Sequence, residues 1–205
     1  MKVTRGFYAY WWLVLVLLWP LGCTTTVGDD TSSSGLTVYP TKGFTGVEDT
    51  GARYTLPVSA SGTSGMTWSA AEDSICTAMG SDSLGKVAGV MPGGCTVSVT
   101  AGTESQIVTV TVASYKAADR SAGAAAYTSL SCSGCHDIAS GPDISPSGIG
   151  KHSDDEIFKV VMTGLNPEGG CVSIGCQGHS FAAPDGIVAY LRSLPSKGVP
   201  VEEEP

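Results

Sequence analysis

The sequence predicts a multidomain chain, in which an N-terminal β-sandwich is followed by a smaller, all-α domain. Within residues 36–113, apolar and polar residues alternate with a period of two, which is typical of strands that bury one face. In residues 114–196 the apolar residues recur at helical spacing. This second region also contains the pattern Cys-x-x-Cys-His, formed by Cys132, Cys135 and His136.

Residues 1–22 have the composition of an export signal. Lys2 and Arg5 give the segment a positive start, and the uncharged, mostly apolar run that follows is short for a membrane-spanning helix. The run ends in Leu-Gly-Cys, which resembles the cleavage site of bacterial lipoproteins. That resemblance implies that Cys23 becomes the lipidated N-terminus, and it favours an outer-membrane lipoprotein of the periplasm or cell surface. An ordinary cleaved signal and a retained anchor are the alternatives.

The charge of the chain limits its partners. The 205 residues carry a formal net charge of −8, and removal of the two cations of the signal takes it to −10. An acidic protein is poorly suited to nucleic acid, and we expect redox proteins with basic docking patches as partners. The alternative is that the acidity only maintains solubility.

The predicted sandwich follows a stretch rich in Thr, Ser and Gly, residues 23–35, which we interpret as a flexible tether. Alternation is clearest over residues 95–100 and 107–112, and glycine-rich turns separate the predicted strands. With the segments around Trp68, these residues resemble the bacterial Ig-like (group 2) domains. The resemblance implies a sandwich of two sheets and says little about function.

The cysteines outside the motif are expected to form disulfides, because these persist outside the cytoplasm. The local pairings are Cys76 with Cys95 and Cys171 with Cys176. Other connectivities remain open from the sequence.

Cys132, Cys135 and His136 form the pattern by which a c-type haem is attached to a polypeptide. In a helical turn the two thiols lie on one face, where both can bond to one porphyrin edge. His136 is four residues after Cys132, so it shares that face and can bind the iron. We therefore predict one covalent haem c. The alternatives are a plain disulfide and a zinc site completed by Cys171 and Cys176.

Residues 114–196 also resemble the class I c-type cytochromes. The resemblance rests on Gly123 and Tyr127 before the motif, on Pro142 after it, and on the apolar positions of residues 186–194. It implies the all-α cytochrome c fold and a close crossing of the first and last helices at Gly123. It also implies a hydrogen bond between the proximal imidazole and the Pro142 carbonyl, which orients the ring.

Two local features complete the domain. Ser153, followed by three acidic residues, predicts the start of a helix that ends at Gly164. Residues 197–205, rich in Pro and Glu, are predicted to be a disordered acidic tail.

The sixth iron ligand is where the chain departs from the cytochrome family. That family places a methionine before the last helix, and residues 166–184 contain none. His179 lies in this stretch, and we predict that it is the distal ligand, with His136 proximal. Met162, His152 and a five-coordinate iron are the alternatives. Met162 follows Val161, which should face the core, so its side chain is expected to lie off the buried face of its helix.

These features favour an electron carrier without catalytic residues. Two imidazole ligands would close the iron to small molecules, which favours electron transfer over chemistry at the metal. One alternative is a haem enzyme or gas sensor with an open distal site. Another is an Ig-like adhesion or binding protein in which the haem domain is accessory.

Overall fold

The computed structural model describes residues 35–62, 64–137, 141–166, 169–170 and 186–200. All of them belong to one compact unit, Ser33–Pro205. The strands, in chain order, are β1 (Thr37–Tyr39), β2 (Lys42–Glu48), β3 (Thr55–Ser61), β4 (Thr67–Ala70), β5 (Cys76–Ser81), β6 (Leu84–Gly89), β7 (Gly93–Ala101) and β8 (Glu104–Tyr115). The helices are α1 (Ala117–Ser129), α2 (Ser133–His136), α3 (Pro146–Ile149), α4 (Asp154–Thr163) and α5 (Ile187–Ser193).

The strands form two four-stranded sheets. One sheet has the order β1-β3-β6-β5 and is antiparallel throughout. The other has the order β2-β8-β7-β4, and in it β2 runs parallel to β8 while the remaining pairs are antiparallel. Apolar side chains from both sheets form one buried cluster. The alternation predicted for residues 95–100 and 107–112 is confirmed, because every second residue of β7 and of the second half of β8 is buried.

The predicted disulfide between Cys76 and Cys95 is confirmed. The two Cα atoms are 6.1 Å apart, and both side chains are buried. Since Cys76 begins β5 and Cys95 lies in β7, the disulfide joins the two sheets across their common core.

The predicted fold class is wrong. Of the described residues 39% are strand and 26% helix, so the protein is mostly β, and its few short helices do not form an all-α cytochrome c fold. The β-sandwich prediction agrees only in part. One strand pair, β2 with β8, is parallel, a feature on which the sequence made no prediction. Helices α2 and α3 are single turns of four residues. Both contain a glycine, and α3 begins at a proline; such residues disfavour longer helices.

The helix predicted from Ser153 to Gly164 is present as α4. Ser153 and Glu156 form a capping box, in which each side chain accepts a hydrogen bond from the other's backbone N–H. Gly164 ends the helix in the left-handed conformation, with φ +67°.

The helices are attached to the sheets by polar contacts. Lys116 alone separates β8 from α1, and the Phe44 N–H donates to the Gly150 carbonyl at 2.8 Å. The Arg192 side chain is 1% exposed and donates to the Ile149 carbonyl at 3.2 Å, to the His152 carbonyl, and to the Asp154 carboxylate at 3.1 Å. It also reaches the Phe44 carbonyl of β2, at 3.4 Å. One buried guanidinium therefore binds α5 to β2 and to the segment between α3 and α4.

A second link is an ion pair between Glu48 of β2 and Arg120 of α1. Arg120 Nε donates to Glu48 Oε1 at 2.5 Å, and the Tyr54 hydroxyl donates to the same oxygen at 2.5 Å. The Thr50 hydroxyl donates to the other carboxylate oxygen, at 2.9 Å. The hydrogen bond from Tyr54 is the main reason that the pKa of Glu48 lies below its usual value, with Thr50 and Arg120 adding to the effect.

Replacing Arg192 by Met is expected to lower the free energy of unfolding by about 3 kcal/mol, because the substitution leaves three carbonyls and a carboxylate without their buried donor. Urea denaturation at neutral pH measures the change. The control is Arg53→Met, at an exposed position, where a change below about 0.5 kcal/mol is expected. Equal losses for the two variants would contradict the role given to Arg192.

Glu48→Gln is expected to be less stable than the wild type at neutral pH, and the difference should shrink as the pH falls below 4.5. The folded-state pKa of Glu48 lies below the unfolded-state value, so its stabilising effect is complete above the unfolded value and is lost as the pH falls through the folded one. Urea midpoints between about pH 7 and pH 3 measure it. A difference that stays constant down to pH 3 would show that the charge of Glu48 is not responsible.

Candidate haem-attachment site

The motif residues lie in a single helical turn directly after α1. The His136 N–H donates to the Cys132 carbonyl at 3.1 Å, which is the hydrogen bond of one α-helical turn. Cys132 and His136 are therefore on the same side of α2, as their spacing predicted. Ser131, with φ +56°, makes the turn between α1 and α2, and the Cys132 N–H donates to the Tyr127 carbonyl at 3.1 Å.

The two thiols of the motif are free, and the plain-disulfide alternative is therefore not what the structure contains. The Cys132 side chain is partly buried and packs against the apolar cluster of the helices, whereas Cys135 is exposed. Burial raises the pKa of the Cys132 thiol, so the protonated form is favoured. The same turn therefore contains one partly buried thiol and one exposed thiol.

The imidazole of His136 is held by the hydrogen bond that the cytochrome resemblance implied. Its Nδ1 is 3.1 Å from the Pro142 carbonyl oxygen. A carbonyl can only accept, so Nδ1 carries the proton and the lone pair lies on Nε2, the nitrogen that can bind a metal. Gly141 allows this geometry, because a Cβ atom there would lie 1.9 Å from the Cys135 carbonyl oxygen.

Helices α1 and α5 meet at Gly123. A Cβ atom on Gly123 would lie 2.2 Å from the Gly186 carbonyl oxygen and 2.9 Å from the Cβ of Tyr190. The rings of Tyr127 and Tyr190 pack beside this contact, with centroids 5.2 Å apart. The close approach at Gly123 therefore agrees with the expectation, although the fold class that suggested it is wrong.

A cluster of apolar side chains adjoins the motif. Its centre is a buried cluster made of residues from α1, α4 and α5, against which further apolar side chains, Cys132 among them, are only partly buried. The partly buried members are Cys132, Ile144, Ile149, Val161, Val188, Tyr190 and Leu194.

Other predicted ligands are placed only in part. Met162 is 39% exposed while Val161 belongs to the apolar cluster, which confirms that Met162 lies off the buried face of α4. His152 is half-buried between α3 and α4. The predicted distal ligand His179 lies outside the described residues.

The predicted lipidation site Cys23, the predicted disulfide pair Cys171 and Cys176, and residues 1–22 also lie outside the described residues, as does most of the predicted tether. Across the ranges that the structure covers, no three His, Cys, Asp or Glu side chains are grouped so that they could hold a metal ion. None of the helices in the described part of the chain has the length and hydropathy needed to cross a membrane.

The sequence did not indicate the contacts of Lys197. The residue begins the segment predicted to be a disordered tail, yet residues 197–200 lie against the rest of the protein. The Lys197 ammonium donates to the His136 carbonyl at 2.5 Å and lies 3.4 Å from the Asp137 carboxylate. The Ser59 hydroxyl of β3 donates to the Pro200 carbonyl at 2.8 Å. Within the predicted tail, residues 197–200 therefore contact the rest of the protein, and residues 201–205 lie outside the described residues.

No protein-family model matches the chain, and no curated protein matches it. Among solved structures, domains 4 and 5 of the S-layer protein SbsC are similar over 38% of this chain and 50% of that one, at 20% identity and a TM-score of 0.30. A GH5 xyloglucanase from Bacteroides ovatus is similar over 40% of this chain and 19% of that one, at 21% identity and a TM-score of 0.30. The matched region spans 50% of the SbsC structure and 19% of the xyloglucanase. Similarity this low carries no argument about function.

Gly123→Ala is expected to destabilise the protein by about 2 kcal/mol, because the added methyl group would overlap the Gly186 carbonyl and force α1 and α5 apart. Thermal or urea unfolding measures the effect. The matched control is Gly134→Ala in α2, where a Cβ atom meets nothing within 4 Å and Ala is the better helix former. The account of the helix crossing is wrong if both variants unfold like the wild type.

Proposed function

We propose that the protein is an exported c-type cytochrome that carries electrons between redox partners. In this proposal one haem is bound covalently through Cys132 and Cys135. His136 is the proximal iron ligand and His179 the distal ligand. The observation that carries the proposal is that one helical turn contains two free thiols and an imidazole whose orientation is fixed by a hydrogen bond.

The geometry of the motif supports this function in three ways. Cys132 lies directly before α2 and Cys135 within it, and neither thiol is part of a disulfide, so both are available for thioether bonds. The His136–Pro142 hydrogen bond fixes the tautomer that leaves Nε2 as the metal-binding atom and raises the basicity of the ring. The apolar cluster beside Cys132 offers surface that a porphyrin can cover.

The haem supplies one-electron redox chemistry when bound. The protein's own residues bind and orient the cofactor, and no general base or nucleophile is required. The exposure of Cys135 places one edge of the attachment turn at the surface, where a partner protein can approach. We expect such a partner to offer a basic patch, because the chain has a net charge of −8.

For localisation we propose the periplasmic side of a membrane or the cell surface, with a lipid anchor on Cys23 of an outer-membrane lipoprotein. The support is the composition of residues 1–22 and the Leu-Gly-Cys sequence at their end. A disulfide between Cys76 and Cys95 fits an oxidising compartment. The sandwich would then hold the haem region away from the membrane, as a spacer attached through Arg192 and Glu48.

Changing Cys132 and Cys135 together to Ala should abolish covalent haem binding, because both bonds to the porphyrin are lost. The protein is produced with its export signal in a bacterial host that matures c-type cytochromes, and the pyridine haemochrome spectrum of the purified protein is recorded. The matched control is Ser133→Ala, which changes an exposed residue of the same turn and should retain one haem per chain.

Two outcomes would overturn the proposal. One is a wild-type protein that carries no haemochrome although the same host matures another c-type cytochrome. The other is haem that remains covalently bound after both thiols are removed. If haem is bound, a potentiometric titration should show one reversible one-electron step.

A further inference from the structure

Lys197 joins the two chain segments that carry the His136–Pro142 hydrogen bond. Its side-chain ammonium donates to the His136 carbonyl at 2.5 Å, at the C-terminal end of α2. Its backbone N–H donates to the Ser145 hydroxyl at 3.0 Å, in the loop that begins at Pro142. Lys197 therefore contacts both α2, which contains the donor His136, and the loop that contains the acceptor Pro142.

The loop that begins at Pro142 is held by a network of hydrogen bonds. Ser145 is fully buried, and its N–H donates to the Asp143 carboxylate at 2.8 Å. The Ser147 hydroxyl donates to the other oxygen of that carboxylate at 2.6 Å and lies 2.8 Å from the Ser145 hydroxyl. Asp143 follows Pro142 directly, so this network fixes where the Pro142 carbonyl points.

The helix end is also held from two sides. The Asp137 carboxylate accepts a hydrogen bond from the Tyr127 hydroxyl of α1 at 3.2 Å and lies 3.4 Å from the Lys197 ammonium. A cation at the C-terminus of a helical turn is favourable, because the last carbonyls of the turn have no partner within it. The Lys197 side chain is 43% exposed, so we attribute its effect to the hydrogen bond to the His136 carbonyl more than to charge attraction.

We propose that Lys197 is a positioning residue for the His136 imidazole: it clamps α2 to the Pro142 loop and thereby maintains the Nδ1–carbonyl hydrogen bond. The effect on a bound metal rests on the proposed function, while the clamp itself concerns only the protein's own atoms. Without the ammonium, the end of α2 keeps its contact with α1 through Asp137 and Tyr127 but loses its connection to the loop. The imidazole then loses the acceptor that fixes its orientation.

The test compares Lys197→Met, Lys197→Arg and Lys86→Met with the wild type. Arg keeps the cationic donor, and Lys86 lies exposed on β6, so it controls for the loss of one surface charge. In the haem-loaded protein, NMR measures the rate at which the His136 Nδ1 proton exchanges with solvent. In protein expressed without its signal and without haem, mass spectrometry measures amide exchange of a peptide that covers residues 133–137.

In Lys197→Met we expect both rates to rise roughly tenfold, which corresponds to the loss of one hydrogen bond to a charged donor. Lys197→Arg and Lys86→Met should exchange like the wild type. The proposal is overturned if Lys197→Met exchanges at the wild-type rate, or if Lys197→Arg exchanges as fast as Lys197→Met. A wild-type chain that takes up no haem would contradict the proposed function alone, because the peptide measurement on the haem-free protein still decides about the clamp.

Discussion

The hydrogen bond between the His136 imidazole and the Pro142 carbonyl is the interaction on which the site depends. It requires that a loop pass within contact distance of α2, and the absent side chain of Gly141 makes this approach possible. The same bond determines which ring nitrogen carries the proton. The turn with two free thiols therefore presents its imidazole in one defined orientation.

The surrounding structure holds this turn through polar contacts that reach the sheets. Arg192 connects α5 to a carbonyl of β2, and Glu48 of β2 pairs with Arg120 of α1. The two buried charged side chains, Arg192 and Glu48, each make several hydrogen bonds, which is the condition under which burial of a charge is tolerated. The sheets and the helices are therefore parts of one packed body, and the sandwich contributes to the stability of the turn.

The sequence allowed good predictions wherever a local pattern decides the structure. The alternation of residues predicted β7 and β8, the local pairing of cysteines predicted the Cys76–Cys95 disulfide, and Ser153 with the acidic residues after it predicted the start of α4. The spacing of Cys132 and His136 was enough to place both on one helical turn. Except for the disulfide, whose cysteines are 19 residues apart, the deciding interactions lie within a few residues or follow a simple period.

Predictions that depend on distant contacts were less successful. The all-α cytochrome c fold predicted for the second domain was wrong, because the helices are few and short, α2 and α3 are single turns, and strands outnumber helices in the described chain. The sequence carried no prediction of the parallel pairing of β2 with β8, because side-chain alternation does not indicate the direction of the neighbouring strand. Lys197 carried no signal, because a lysine in a segment rich in Pro and Glu is typical of a solvated tail, and its partners are more than 50 residues away.

The most direct test of the central claim is the intact mass of the exported protein, purified from a host that matures c-type cytochromes, followed by mass analysis of its proteolytic peptides. The account predicts an added mass of one haem per chain, located on the peptide that contains Cys132, Cys135 and His136. A chain with the mass of the polypeptide alone, or a haem located on a different peptide, would contradict it.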